Sequence, residues 1–161
     1  MKKYKLNFEI VPEECWYANL RSALLPEQWD VIRRDAYARA QGKCMICGRR
    51  TVRLEAHERW SYDEGKKLQK LETVVALCRA CHEVVHIGRT QLVGRGDQAM
   101  EHFMKVNGCS QWEYHEALGE ANDEYRRRNK IEGWVTDISW IKRFGFAPSF
   151  QKRPYPSYKK Y

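Results

Sequence analysis

Four of the six cysteines in the chain form two closely spaced pairs that are suited to binding a metal. Cys44 and Cys47 form the first pair, which Gly48 follows, and Cys78 and Cys81 form the second. Each C-x-x-C spacing lets one tight turn offer two sulfurs to a tetrahedral zinc ion. Gly48 permits the close backbone turn after the first pair. The sequence therefore predicts a structural Zn²⁺ bound by all four of these cysteines.

The segment between the pairs, residues 48–77, is longer than the roughly 15–20 residues of a compact zinc ribbon. We therefore expect the zinc to hold the base of a larger inserted hairpin. Redox-active thiols are the alternative, but they need a βαβ pattern near one pair, and the sequence has none. Cys15 and Cys109 are predicted to be buried free thiols.

Three histidines near the cysteine pairs form a second group with metal-binding chemistry. His57 lies between the pairs, and His82 and His86 follow the second pair. On a helix His82 and His86 share one face, about a quarter-turn from the stripe through Cys78 and Cys81. One helix can then carry zinc ligands along one edge and ligands for a second metal along the neighbouring edge. His57, His82 and His86 are therefore predicted to bind a catalytic divalent metal.

Several elements must position these residues. Alternating apolar residues predict a strand over 4–11, which Pro12 ends. Ser110 and Glu113 form a capping box for one predicted helix, and Asp97 is the expected N-cap of another. The predicted helices span residues 27–41, 97–106 and 111–129.

The C-terminal part is predicted to hold a short strand, 134–136, and a short helix, 138–144, capped by Asp137. A basic and aromatic tail follows, and its prolines argue against regular structure. We divide the chain into a strand and helix packing on the core, the metal-binding core, a helical extension and the tail. Their ranges are 1–42, 43–93, 94–146 and 147–161.

The composition indicates a globular protein, and its positive charge either favours an anionic partner or serves only solubility. The net charge is +8 and the pI is about 9.2, a balance that favours nucleic acid. No apolar stretch is long enough to span a membrane. The N-terminus carries charge and no apolar h-region, so we expect a cytoplasmic protein.

The cysteine and histidine motifs resemble those of the HNH endonuclease family. The matching positions are Cys44-x-x-Cys47-Gly48, the run Leu54 to Glu58, the run Leu77 to His82, and His86. The resemblance covers residues 43–88. The flanks at 15–21 and 134–140 resemble those of a subgroup of small bacterial and phage HNH proteins.

This resemblance implies an α+β fold with a treble-clef-like ββα-metal core, in which a hairpin is followed by a helix. It implies hydrolysis of DNA phosphodiester bonds, with nicking and double-strand cleavage both open. The implied cofactors are the structural Zn²⁺ and one catalytic Mg²⁺, Mn²⁺, Ni²⁺ or Zn²⁺. A base would activate water while the metal stabilises the scissile phosphate.

Two assignments of the catalytic residues remain open. In one, His57 is the general base, since its pKa suits proton abstraction. In the other, His57 joins His82 and His86 on the metal, and Glu58 is the base or orients the water.

Two departures from the family pattern bear on activity. Thr73 stands where many members have the Asn of the motif, and Ala56 leaves a ligand position empty in the first assignment. The alternative function is therefore a catalytically weak or inactive zinc-stabilised module that binds nucleic acid or protein. An inhibitor or regulatory protein in a phage–host conflict is a third possibility.

Basic residues are predicted to contact the phosphates of a nucleic acid, with double-stranded DNA expected. Such contacts give affinity that is independent of sequence and falls with salt. No recognition-helix motif is present, so we expect little sequence preference. The predicted contact residues are Lys66, Lys67, Arg79, Arg89, Arg126, Arg127 and Arg128.

Overall fold

The structure is a computed structural model that describes residues 3–148, in which helices surround a small sheet. The helices are α1 (Leu20–Ala23), α2 (Pro26–Ala40), α3 (Arg79–Val85), α4 (Ile87–Leu92), α5 (Gly96–Asn107) and α6 (Gln111–Arg128). The strands are β1 (Glu55–Asp63), β2 (Leu68–Leu77) and β3 (Val135–Asp137). Short 3-10 helices span Glu13–Cys15 and Ser139–Phe144. The predicted α+β class is confirmed.

The sheet is built on the hairpin inserted between the two cysteine pairs. β1 and β2 are antiparallel, with Glu55 opposite Leu77 and Asp63 opposite Leu68. β3 pairs with β2 in parallel, so β2 is the central strand and β1 lies at one edge. The hairpin leads directly into α3, which places the second cysteine pair beside the first.

The two faces of the sheet bury different sets of side chains. On β2, Val75 and Leu77 pack in a cluster with residues from α3, α5 and α6. Val74 and Ala76 face the other way and pack against α1, α2 and the 3-10 helix Ser139–Phe144. Because neighbouring residues on a strand point to opposite faces, this division also decides which cluster each side chain of β1 joins.

The predicted helices 27–41, 97–106 and 111–129 are confirmed as α2, α5 and α6. The capping box of Ser110 and Glu113 is present at the start of α6. Arg95, not Asp97, is the N-cap of α5. The strand at 134–136 and the helix at 138–144 are present within one residue, and Asp137 accepts a hydrogen bond from the Ser139 amide.

The predicted tail, 147–161, lies outside the described residues except at positions 147 and 148. No helix in the described part of the chain has both the length and the hydrophobicity needed to cross a bilayer.

The predicted strand over 4–11 is wrong, because this segment forms no ladder with any strand among residues 3–148. Its alternation does predict burial, since Leu6 is fully buried while Lys5 and Asn7 are exposed. The backbone of Leu6 is bound by a side chain instead. Its amide donates to Oδ1 of Asn107 at 3.0 Å, and its carbonyl accepts from Nδ2 at 2.8 Å. A period of two therefore marked an extended, half-buried segment without a partner strand.

Phe103 is the aromatic centre of the first core cluster and is 0% exposed. Its ring lies 5.0 Å from that of Tyr4, 5.1 Å from Phe8 and 5.3 Å from Tyr114. We expect Phe103→Ala to lower the free energy of unfolding by about 3–5 kcal/mol, because it leaves a cavity. Urea denaturation measures this loss. Trp112→Ala is the control: Trp112 is 69% exposed, so its loss should cost less than about 1 kcal/mol.

Candidate metal centres

The four paired cysteines converge on one point, as predicted. Their sulfur atoms all lie within 4.8 Å of one another, and no two of them are joined in a disulfide. The sulfurs of Cys47 and Cys78 are 3.8 Å apart. Zn–S bonds of about 2.3 Å in a tetrahedron place sulfurs about 3.8 Å apart. The cluster could therefore hold a structural metal such as zinc.

Local backbone geometry aims the first pair at this point. The Gly48 amide donates to the Cys44 carbonyl at 2.9 Å, and Gly48 adopts a φ of 75°, which glycine tolerates without strain. The Met45 amide then donates to the Ala76 carbonyl at 3.0 Å. This bond ties the first turn to the end of β2, next to Cys78, the N-cap of α3.

The thiols of Cys44, Cys78 and Cys81 in this cluster have shifted pKa values, and the shifts differ in direction. A hydrogen bond with Cys81 is the main cause that lowers the pKa of Cys44 to about 4, and backbone amides add to it. Desolvation raises the pKa of Cys78 to about 11. The pKa of Cys81 is also raised, chiefly because its proton is held against Cys44. A divalent metal would replace these protons and stabilise all four thiolates.

His102 on α5 also contacts this cluster, which the sequence did not reveal. Its Nε2 lies 3.1 Å from the sulfur of Cys81. Burial lowers the pKa of His102, so at neutral pH it is an uncharged imidazole that could donate one N–H to the Cys81 sulfur once a metal has displaced the thiol proton. Such a bond orients a ligand of the metal from outside the coordination sphere.

The three histidines form a second cluster beside the first, also as predicted. Their ligand atoms all lie within 4.8 Å of one another. His82 and His86 come from α3 and its C-cap, and their ring centroids are 4.7 Å apart. His57 projects from β1, with its ring centroid 5.3 Å from that of His82 and 4.9 Å from that of His86. Small side-chain rotations would bring the three nitrogens to the roughly 3.4 Å separation of a tetrahedral site.

The protonation of the histidine cluster suits metal binding. Desolvation lowers the pKa of His82, and it lowers that of His86 to about 3, with His57 and His82 adding to the effect. Neutral imidazole is the form that ligates. His57 is 5% exposed, whereas the His82 side chain is 25% exposed and His86 is exposed. The cluster therefore opens at the surface on the α3 side.

The structure does not bring Glu58 to the histidines. Glu58 follows His57 on β1, so its side chain points to the opposite face of the sheet. Its carboxylate accepts a hydrogen bond from the Leu20 amide at 3.1 Å. Ala56 also packs on that face, with the second core cluster. His57 converges with His82 and His86 as the second assignment requires, but Glu58 does not lie where that assignment needs a base.

Burial of the Glu58 carboxyl group makes stability depend on pH. Desolvation raises its pKa from the ordinary 4.5 to about 7, so the folded state holds the proton more tightly than the unfolded state. Stability must then fall as pH rises from the ordinary pKa towards the raised one, and level off above it. Between about pH 6 and about pH 7 we expect wild type to lose up to about 1.4 kcal/mol relative to Glu58→Gln. Urea denaturation of both proteins across this range tests it, and parallel curves would contradict it.

Thr73, at the position of the family's Asn, does not reach the histidines. It pairs with Arg59 across the hairpin, and its hydroxyl donates to the neighbouring Val74 carbonyl at 3.4 Å. It therefore has no visible part in holding His57.

Some of the predicted phosphate-binding cations lie close to the histidines. Arg89 is exposed, three residues after His86 in α4, and has no ion pair in the described part of the chain. Arg79 is also exposed but is paired with Glu83 at 2.9 Å. Arg59, which the sequence did not single out, follows His57 by two residues on the same strand face, is exposed, and is likewise unpaired within 3–148.

The other predicted cations lie far from the histidines. Lys66 and Lys67 are in the turn of the hairpin, and from His57 to Asp63, where that turn begins, β1 runs about 20 Å. Arg127 is at the same end, where it forms two hydrogen bonds with Glu64 at 2.8 and 2.9 Å. These residues therefore lie too far from the histidines to contact a group bound there.

Arg128 is not a surface cation, contrary to the prediction. It is 9% exposed, forms an ion pair with Glu124 at 2.5 Å, and lies over the Tyr62 ring at 4.2 Å from its centroid. It also donates to the Ile10 carbonyl. The neighbouring Arg126 is exposed but is paired with Asp123. Arg128 therefore joins the hairpin, α6 and the N-terminal segment as a structural residue.

Comparisons of the chain with protein-family models, with curated proteins and with solved structures find no match.

Proposed function

We propose that this chain is a metal-dependent nuclease of the HNH type that hydrolyses phosphodiester bonds in DNA. The observation that carries the proposal is the convergence of His57, His82 and His86 at an accessible surface. A hairpin followed by a helix presents them, and the same helix supplies Cys78 and Cys81 to the adjacent cluster. A protein that needed only a structural zinc would have no use for a second group of convergent ligands.

The three histidines would bind the metal, and two of them lie where a substrate could approach it. His57, His82 and His86 would hold a divalent metal, which when bound supplies Lewis acidity to a phosphodiester oxygen. The His82 side chain is partly exposed and His86 is exposed, which leaves room for a large anionic substrate at that point. The buried His57 fixes the cluster to β1.

The donor set also indicates which metal is preferred. Three imidazoles suit Zn²⁺, Ni²⁺ and related transition metals, whereas Mg²⁺ prefers carboxylate and water oxygens. We therefore expect activity with Ni²⁺, Co²⁺ or Zn²⁺ at micromolar levels and weaker activity with Mg²⁺.

Substrate affinity would come from the overall positive charge, +8, and from the unpaired cations beside the histidines. Arg59 and Arg89 can contact phosphates on either side of the scissile one. These contacts carry no base sequence information, so cleavage should show little sequence preference and weaken as salt rises. A discrete ladder of products from random-sequence DNA would contradict this.

The test is cleavage of supercoiled plasmid by purified protein with Mg²⁺, Mn²⁺, Co²⁺, Ni²⁺ or Zn²⁺, beside a chelator control. Metal content is measured in the same samples. The proposal expects two bound metals per chain and conversion of plasmid to nicked or linear forms that the chelator stops. A chain that binds one metal, at the cysteines, and leaves the plasmid intact with every ion would overturn it.

A second candidate function is a zinc-stabilised module that binds nucleic acid or protein without cleaving. Two observations favour it: Glu58 faces away from the histidines, and Thr73 makes no contact with them. Retarded migration of DNA, with one metal per chain and no cleavage, would support this candidate.

A further inference from the structure

Two of the three histidines in the cluster are held by carboxylates through one ring nitrogen each. Nε2 of His57 lies 2.6 Å from Oε2 of Glu9, and Nδ1 of His82 lies 2.5 Å from Oε2 of Glu55. An ionised carboxylate can only accept, so each of these ring nitrogens must carry the hydrogen. The lone pairs are then left on Nδ1 of His57 and Nε2 of His82.

Glu9 reaches His57 because the N-terminal segment is fixed in place. The Phe8 ring stacks on Phe103 at 5.1 Å, and the Glu9 amide donates to the Val85 carbonyl at 3.0 Å. The second carboxylate oxygen of Glu9 accepts from the Trp60 amide at 3.2 Å. One oxygen of the Glu9 carboxylate is thus bonded to the backbone of β1, and the other is bonded to the His57 ring.

Glu55 approaches from a different direction and with more solvent around it. It lies two residues before His57 on β1, on the same strand face, and its side chain is 46% exposed. It therefore links the start of β1 to His82 on α3. The two carboxylates set the orientation of one imidazole from each element that builds the cluster.

We propose that Glu9 and Glu55 are positioning residues that fix the tautomers of His57 and His82, so that the metal is bound through Nδ1 of His57 and Nε2 of His82. A carboxylate behind a ligating imidazole makes the free nitrogen more basic and holds the ring at one angle. The proposal rests on the proposed function only in using the same metal cluster. It makes the irregular N-terminal segment part of the metal site.

The first test is the tautomeric state of each histidine, read from long-range proton–nitrogen NMR of the full chain with zinc at the cysteines. Wild type should show Nε2–H on His57 and Nδ1–H on His82. Glu9→Ala should leave His57 as a mixture of tautomers. Glu9→Gln should restore Nε2–H, because the amide oxygen still accepts a hydrogen bond. The opposite tautomer on either histidine in wild type would overturn the proposal.

The second test is calorimetric titration of the same proteins with Co²⁺. Loss of a carboxylate behind a ligand should weaken binding about 10–100-fold in Glu9→Ala and in Glu55→Ala, with a smaller loss in Glu9→Gln. Glu72→Ala is the matched control. Glu72 is 46% exposed, like Glu55, but its 2.6 Å hydrogen bond is with the Ser61 hydroxyl. The Glu72→Ala protein should therefore bind Co²⁺ with an affinity within about twofold of wild type.

Wild-type affinity in Glu9→Ala, or a wild type that binds no Co²⁺ at the histidines, would overturn the proposal. Neither test uses DNA. Expected tautomers and graded Co²⁺ affinities in a protein that leaves DNA intact would reject the nuclease function and leave this inference standing.

Discussion

Replacing His82 with alanine should abolish metal-dependent DNA cleavage while leaving the fold intact. His82 is the histidine with Glu55 behind it, and its loss leaves two imidazoles to hold the metal. A bound metal is worth several kcal/mol of transition-state stabilisation, so we expect a fall in rate of at least about 10³-fold. The fold should survive because the side chain is 25% exposed and lies outside the buried core. The measurement is the initial rate of plasmid nicking at a fixed metal concentration.

His115→Ala is the control for this substitution. His115 is exposed on α6 and lies outside both clusters, and its ring centroid is 5.3 Å from that of the neighbouring Tyr114. The control should cleave at the wild-type rate. If His82→Ala kept more than about a tenth of that rate, its loss of transition-state stabilisation would be under about 1.4 kcal/mol, and the histidines would not hold the catalytic metal.

Short-range spacing explains why the sequence could predict the cysteine cluster and the pairing of His82 with His86. Cys78, Cys81, His82 and His86 lie within nine positions, and the turn at the cysteines and the helix that follows fix their geometry. The same local logic predicted α5, α6 and the Ser110 capping box. What it could not predict is the Glu9–His57 bond, because the two residues are 48 positions apart and meet only through core packing.

Two residues carried sequence signals that contradicted the roles predicted for them. Glu58 is adjacent to His57 in a strand, so period two already puts them on opposite faces. Arg128 follows Ala121 by seven positions, two turns along the buried stripe of α6, which predicts an inward position. The basic run around Arg128 obscured this. No sequence pattern indicated His102, whose contact with Cys81 depends on how α5 packs on α3.

Replacing Cys78 with alanine should remove the metal bound at the cysteines and unfold the protein under conditions in which wild type is folded. Cys78 is 5% exposed and caps α3, so its sulfur joins the end of β2, the first cysteine turn and the helix that carries His82. Binding free energy at a structural zinc site is folding free energy, about 10–16 kcal/mol in zinc-finger peptides, which is comparable to the whole stability of a domain. Circular dichroism and metal analysis measure the two losses together.

Cys15→Ala supplies the matched control, because it also removes one buried thiol. Cys15 is 3% exposed and lies outside both metal clusters, and desolvation raises its pKa to about 11. It is thus an uncharged apolar side chain, and its loss should cost about 1–2 kcal/mol without change in metal content. A Cys78→Ala protein as stable as Cys15→Ala would show that the cysteine cluster does not hold the fold together. Loss of fold in Cys78→Ala alone would assign the stabilisation to the metal, since burial and the deleted group are the same in both.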